Sequence, residues 1–328
     1  MENKVFPQMN TLVKVRENSL LTKQQKNEII FSEDEMAAFR ILNGTAFFMN
    51  SHPNDLEELS LSLQSEKQTL LNWAKTIAPE FPLSELFDIS NLVHNLKIFC
   101  KEQVAHNDLS DYYLEGYNKA FFMKISGGDP TTLSREEADL KDIILDVIEN
   151  YQVNESFINI DLLCTFWGHS ELLKLSMKCD EARIVDFVKA YIDLELLSIV
   201  FQIREIGFAL SKPLLSKMIK GVLQFDSAWL LAATETEVNA FFHASPYAEA
   251  WNLLAIQSES GFFDVYTDHY LLNMCKKAKL EAFGVFPLFA FIYAKLLDIK
   301  TVRTIFNLKR GKVENSEIEE RLCGEYGL

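Results

Sequence analysis

Glycine and proline are scarce in this chain, at 12 and 8 of 328 residues. Leu, Lys, Glu and Ala dominate instead, and that balance reads as an all-α protein. Positive charge is also in deficit: 32 Lys and Arg face 47 Asp and Glu, for a net charge of −15. Phosphate binding needs a cationic surface, so nucleic acid is excluded as a partner. A soluble protein whose partners are basic fits better. Long apolar runs are missing. The longest, residues 282–294, is closed by Lys295 and falls well short of the roughly 20 residues that span a bilayer. The opening MENKVFPQMNTLVK has no apolar core of the secretory kind. The chain is therefore expected to be neither secreted by that route nor integral to a membrane. Its five cysteines (Cys100, Cys164, Cys179, Cys275 and Cys323) show no CxxC spacing, and are expected to be reduced packing residues of a cytosolic protein.

Motifs that carry chemistry are absent as well. His52, His94, His106, His169, His243 and His269 stand apart, without HExxH, ExxH or HxxxH spacing, so no metal site is expected. The glycine pair in Gly127-Gly128-Asp129-Pro130 is not followed by the Lys-Ser/Thr of a phosphate-binding loop. With Thr132 and Ser134 ahead of Glu136-Glu137, it reads as a loop and a helix cap. No GxGxxG, GxSxG or DDxxD pattern occurs. The acidic clusters Ser32-Glu33-Asp34-Glu35 and Glu136-Glu137 fall at expected helix N-termini, where negative side chains complement the helix dipole. No catalytic, cofactor-binding or metal-ligating residue is nominated.

What is present is a set of apolar helical segments organised around Gly284 to Arg310. Pro287 suits a first helical turn. Leu288, Phe289, Ala290, Phe291, Ile292, Tyr293 and Ala294 are apolar on nearly every face, which predicts burial all round. Asp298 then precedes a second helical segment with Val302, Ile305 and Phe306 on its apolar face.

This stretch recurs. Aligned on Leu92, Asp193 and Asp298, three segments carry an apolar residue four places on (Leu96, Leu197, Val302) and another seven places on (Phe99, Val200, Ile305). The separations are 193 − 92 = 101 and 298 − 193 = 105. A second echo pairs MAAFRILNGTAF from Met36 with TEVNAFFHASPY from Thr236, and a third pairs Leu20-Leu21-Thr22-Lys23 with Leu214-Leu215-Ser216-Lys217. Together they indicate a threefold internal repeat near 100 residues, with units 1–108, 109–210 and 211–328. The breaks fall in the polar stretch Glu102 to Asp111 and in Gly207 to Pro213.

Local signals fill in the units. Residues 9–48 read as two helices with N-caps at Thr22 and Ser32, the latter in a capping box with Glu35, and a stop at Asn43-Gly44. Asp55 opens a helix towards Lys75. Pro79 and Pro82 precede the first repeat signature. Asn159 to Lys189 reads as one helix. Phe241 to Trp251 holds a turn around Pro246, Ser258 to Phe263 another, and Asp268 opens the helices that follow. Val313 to Leu328 reads as an acidic amphipathic helix edged by Ile318 and Leu322.

The region Gly284 to Tyr326 resembles the C-terminal signature of the C-type subunit family of V-type/A-type ATPases, known in eukaryotic V-ATPases as the d or AC39 family. The resemblance rests on Gly284 and Pro287, Ala294-Lys295, Asp298 with Arg303, and Lys309 with Gly311 and Lys312. It continues through Glu314 or Glu317, Ile318, Arg321-Leu322 and Tyr326. The opening Asn10 to Glu17, then Leu20 to Lys23, and the middle pair Ile192-Asp193 extend it over essentially the whole chain. Leu92, Leu196, Phe286 and Thr301 stand where the family often has Asp, Asn, Glu and Asn, while Asn95 keeps the Asn of the first repeat.

The resemblance implies three similar helical domains in a pseudo-threefold funnel and a non-catalytic rotor subunit without cofactors. It would sit peripherally on the cytoplasmic face of the membrane. There it would join the central-shaft subunits (D/F type) of the ATPase head to the membrane proteolipid ring, and pass on the torque that moves H⁺ or Na⁺. If the repeat signatures line the funnel, Lys97, Arg204, Arg303 and Lys309 are the candidate shaft or ring contacts. The rival reading is a cytosolic helical scaffold, which predicts repeat periods of roughly 34–47 residues. An enzyme would need a cleft-borne pair of titratable groups that the sequence does not nominate.

Overall fold

The structure is a computed structural model that describes residues 5–129, 131–256, 261–322, 324 and 326. Among these, regular structure is entirely helical. The α-helices are α1 (Val5–Arg16), α2 (Lys23–Ile30), α3 (Glu35–Asn43), α4 (Leu56–Ile77), α5 (Leu83–Ala105), α6 (Lys119–Ser126), α7 (Arg135–Asn154) and α8 (Phe157–Lys178). They continue with α9 (Ala182–Glu205), α10 (Lys212–Ser216), α11 (Trp229–Ala232), α12 (Glu235–His243), α13 (Ala248–Ile256), α14 (Gly261–Cys275), α15 (Phe286–Arg310) and α16 (Asn315–Glu320).

Several boundaries differ from the sequence reading, each for a local reason. Residues 9–48 hold three helices, not two. Thr22 caps α2 in a full capping box with Gln25. Asp34, not Ser32, caps α3 by accepting from Ala37 N, while the Ser32 hydroxyl donates to the Ile29 and Asp34 carbonyls. The stretch 159–189 is broken after α8. Asp180 takes φ 49° and the Glu181 side chain caps the start of α9, which turns the chain into a helical hairpin. Asp268 lies inside α14 and pairs with Lys300 at 2.6 Å. Asp298 lies inside α15, a single helix of 25 residues. The tail helix is only α16, six residues long, with Ile318 buried. Residues 257–260, within the expected turn at Ser258 to Phe263, lie outside the described residues, as do several of the last six.

The hub is α15. It packs against α1, α2, α3, α4, α9, α14 and α16, and its first turns are buried on all sides, as the apolar run predicts. The repeat positions are core positions: Leu96, Phe99, Leu197, Val200, Val302 and Ile305 are all buried. Phe286, Leu196 and Thr301, three of the departures from the family pattern, are buried too. The α5–α8 crossing is close, since a Cβ on Gly168 would fall 2.5 Å from the Val93 side chain.

The long helices α5, α9 and α15 each carry a buried polar side chain that grips the backbone of a loop, further along the chain for α5 and α9 and near its start for α15. Asn95 donates to the Leu114 and Tyr117 carbonyls and accepts from Leu114 N, all at 2.8 Å. Asp193 accepts from Gly221 N, Val222 N and Leu223 N, and from the Tyr247 hydroxyl. Asp298 accepts from Leu21 N at 2.8 Å and pairs with Lys26 at 2.7 Å. The third grip closes a circle, because the last long helix holds the loop before α2. Gly221 is glycine for this reason: a Cβ there would sit 2.0 Å from the Lys189 carbonyl oxygen of α9. In α5 the Asp193 position is occupied by Leu92, and Asn95, one helical turn on and on the same face, does the gripping.

The MAAFRILNGTAF echo is structural. The helices α3 and α12 have N-caps at Asp34 and Thr234, with 234 − 34 = 200. Both end in the same hydroxyl turn. Thr45 Oγ1 donates to Leu42 O at 2.7 Å and accepts from Phe47 N at 3.2 Å. Ser245 Oγ donates to Phe242 O at 2.7 Å and accepts from Tyr247 N at 3.1 Å. The Leu20–Lys23 echo is not structural. The residue gripped like Leu21 is Val222, whereas Leu214 and Leu215 lie within α10.

Replacing Asp193 by Ala orphans three loop N–H groups and a buried tyrosine hydroxyl. At about 1–3 kcal/mol for each buried group left unsatisfied, Asp193→Ala is expected to lower stability by about 3 kcal/mol or more in urea unfolding. A loss below about 1 kcal/mol removes the anchoring role assigned to it.

Candidate functional site

The candidate contacts do not converge on one pocket. Lys97 is half-buried and borders a cavity of about 140 Å³ between α5, α8 and α9, together with His169 and Glu195. Arg204 donates to the Ala233 carbonyl at 3.1 Å. Lys309 donates to the Ile30 and Ser32 carbonyls at 2.7 and 3.1 Å. Arg303 is exposed. Arg204 and Lys309 thus have internal tasks, and matching ones. They are related by 309 − 204 = 105, and the carbonyls they hold by 233 − 32 = 201. Each cation ties the end of a long helix to the segment leading into α12 or α3. Burial draws the Lys309 amine down from the usual lysine range, with the Asp34 charge opposing.

The sequence reading missed the most heavily buried charges. Lys295 is 1% exposed. Its ammonium donates to Phe47 O at 2.6 Å and Ser19 O at 3.1 Å, pairs with Glu66 at 3.3 Å, and stands 3.9 Å over the Phe47 ring. Burial lowers its pKa, against the raising pull of Glu66 and Asp298. One turn on, the Asp298–Lys26 pair is also buried. These two pairs and Lys309 stitch α15 to residues 19–66. Around them Ile29, Ile30, Phe39, Phe47, Leu59 and Leu63 share one apolar cluster with Val302, Ile305, Phe306 and Ile318. Only the Ala294-Lys295 pair hinted at this, because partners some 230 to 280 residues away leave no local pattern.

A second pair lies at the small cavity, with His169 buried and the Glu195 carboxylate partly exposed. His169 Nε2 donates to Glu195 Oε2 at 2.8 Å. Burial pushes the Glu195 carboxyl up, but the His169 hydrogen bond and charge, the Lys97 charge and the Tyr191 hydroxyl outweigh it, so its pKa falls below the usual value. Tyr191 moves the other way, raised by the Glu195 charge and by burial. Among the described residues no group of three or more His, Cys, Asp or Glu side chains is placed to hold a metal ion. Cys100, Cys164, Cys179 and Cys275 are buried free thiols. The Cys100 thiol is held well above its ordinary pKa, first by its contact with Cys164 and then by burial. No described helix is long and apolar enough to cross a membrane.

The polar contacts of this all-helical body are largely internal. The family profile described as ATP synthase (C/AC39) subunit matches residues 9–321. The chain belongs to the ATP synthase (C/AC39) subunit family. Among its relatives is a protein of Enterococcus hirae named as the C-type subunit of a V-type sodium ATPase, 23% identical over 338 aligned positions that cover 98% of this chain and 99% of the relative. Within the family frame, Lys295 and Asp298 of the C-terminal signature are seam residues, and Ile318 is the buried residue of α16.

Two outcomes test these assignments. Lys295→Met strands Glu66 and two carbonyls in the seam and is expected to cost about 3–5 kcal/mol, much of it recovered by adding Glu66→Leu. A double-mutant cycle in urea measures it. Glu195 has a folded pKa below its unfolded value, so its stabilisation is full above the unfolded value near 4.5 and is lost as pH falls through the folded one. Urea midpoints at pH 3–6 are expected to fall less steeply on the acid side for Glu195→Gln. Identical acid limbs remove the role given to the pair.

Proposed function

We propose that this chain is a non-catalytic rotor subunit of a rotary V/A-type ATPase. In this reading it joins the central-shaft subunits of the soluble head to the proteolipid ring from the cytoplasmic face, peripherally, and passes torque to a ring that moves H⁺ or Na⁺. One observation carries the mechanical part: the three grips by Asn95, Asp193 and Asp298 run in a circle. Each long helix is tied to a following segment and the last is tied to the first. A closed circle of three tied units, 1–108, 109–210 and 211–328, has no free end at which torsion would unwind it. That supports a pseudo-threefold funnel around a shaft.

Family membership and the name of the Enterococcus hirae relative support the assembly. An adaptor between two rotating parts also needs stiffness, and close-packed helical cores resist deformation. The acidic balance of the chain favours basic surfaces on the shaft or ring. Of the four candidate contacts, Arg303 is the one best placed to reach a partner, Lys97 borders a cavity, and Arg204 and Lys309 divide their donors between the fold and any partner.

The test is to purify the membrane ring from native membranes with and without this chain. Shaft and head subunits are expected to stay with the ring only when the chain is present, and Arg303→Glu is expected to weaken that attachment several-fold. Attachment that does not depend on the chain, with no ring or shaft subunit bound to it, returns the protein to the class of helical scaffolds.

A further inference from the structure

The repeat exposes a difference between two equivalent places. At the end of α15, the short helix α16 lies against α15 and α2. Its Ile318 is fully buried in a cluster with Ile30, Ile305 and Phe306. The counterparts of α15 and α2 are α9 and α11, matched by the Lys309 and Arg204 grips described above. There, among the described residues, the chain supplies no third helix. It leaves α9 through Gly207, in the left-handed region at φ 63°, and moves on to α10. A cleft of about 970 Å³ remains, bordered by Val200, Phe201, Arg204, Leu230 and Leu231.

The counterparts differ in exposure as a missing cover requires. Ile30 is 0% exposed, whereas Leu231, with 231 − 30 = 201, is 39% exposed. Phe306 is fully buried, whereas Phe201, with 306 − 201 = 105, is half-buried. Where Phe39 lies against Phe306 at 4.4 Å between ring centroids, Asn239 accepts instead from Trp251 Nε1 at 3.0 Å. Among the described residues the cleft is thus the uncovered copy of a site that the chain covers elsewhere with its own helix.

We propose that this cleft docks a short amphipathic helix of another subunit of the ATPase, acidic and bearing one branched aliphatic residue, in the place that α16 takes at the other site. The identity of the partner as a fellow subunit rests on the assembly reading above. Two further observations fit the occupant. Six residues of helix fill a cylinder about 10 Å across and about 9 Å long, on the order of 700 Å³, which the cleft accommodates. Arg204 makes one hydrogen bond among the described residues, to Ala233 O. That leaves its other N–H groups for a carboxylate of the incoming helix, as Asn315-Ser316-Glu317-Ile318-Glu319-Glu320 would provide. Glu205 and Glu235 also border the cleft and suit a basic residue following the acidic turn, as Arg321 follows α16. An aliphatic anchor seated between apolar side chains in a groove that also carries charged groups is a common mode of helix recognition.

The experiment places a photoactivatable phenylalanine at Leu231 in the assembled, purified complex, identifies the cross-linked peptide by mass spectrometry, and records the make-up of the complex in parallel. A cross-link to an acidic helical segment of another subunit is the expected result. Leu231→Asp, at a position exposed enough to spare the fold, is then expected to weaken attachment of the chain at least tenfold while its thermal midpoint stays unchanged. If the chain assembles but Leu231 cross-links to nothing, to lipid or to a second copy of itself, the docking site is wrong and the assembly reading survives. If the chain does not enter the complex at all, both are wrong.

Discussion

A backbone loop pressed against a buried helix must satisfy its N–H groups without water. In this protein that constraint is met three times by one device, a polar side chain set into the middle of a long apolar helix. Asp193 alone accepts from three successive N–H groups. Asn95, an amide, both accepts and donates, so it serves a loop that offers an N–H and two carbonyls. Asp298 adds a counter-ion, Lys26. The apolar packing around these residues sets how close the helices come. The grips decide which loop lies on which helix.

The third junction is the most heavily charged, and its chemistry differs from that of the other two. A buried ammonium is stabilised only when fully paired, and Lys295 has a carboxylate, two carbonyls and the face of an aromatic ring. Such a site is intolerant of alternatives, because any other register would strand a charge in apolar surroundings. Charge here contributes less to net stability than to uniqueness of the fit. That suits the one junction whose two sides are not joined by a short stretch of chain.

The periodic part of the fold was legible in the sequence. Leu96, Leu197 and Val302 sit at core positions because apolar spacing reflects helix geometry directly. The turn after α3 and its copy after α12 were legible as well, since a hydroxyl turn is written in consecutive residues. Polar residues misled. Asp298 and Asp268 look like helix starts, yet both lie inside helices and pair with lysines remote in sequence. Ser32 looks like a cap, but Asp34 wins the role by reaching Ala37 N. Arg204 and Lys309 read as candidate shaft or ring contacts, and their backbone partners belong to segments that a linear reading does not bring near them.

The circular closure has a consequence for the order of events on the ribosome. The apolar cluster around Leu21, Phe39, Leu59 and Leu63 is completed by Val302, Phe306 and Ile318. Those residues are made 318 − 63 = 255 residues later. At ordinary elongation rates the delay is roughly 10–50 s. For that interval residues 21–63 lack one wall of their interior, and the apolar faces that await it are open to neighbouring chains.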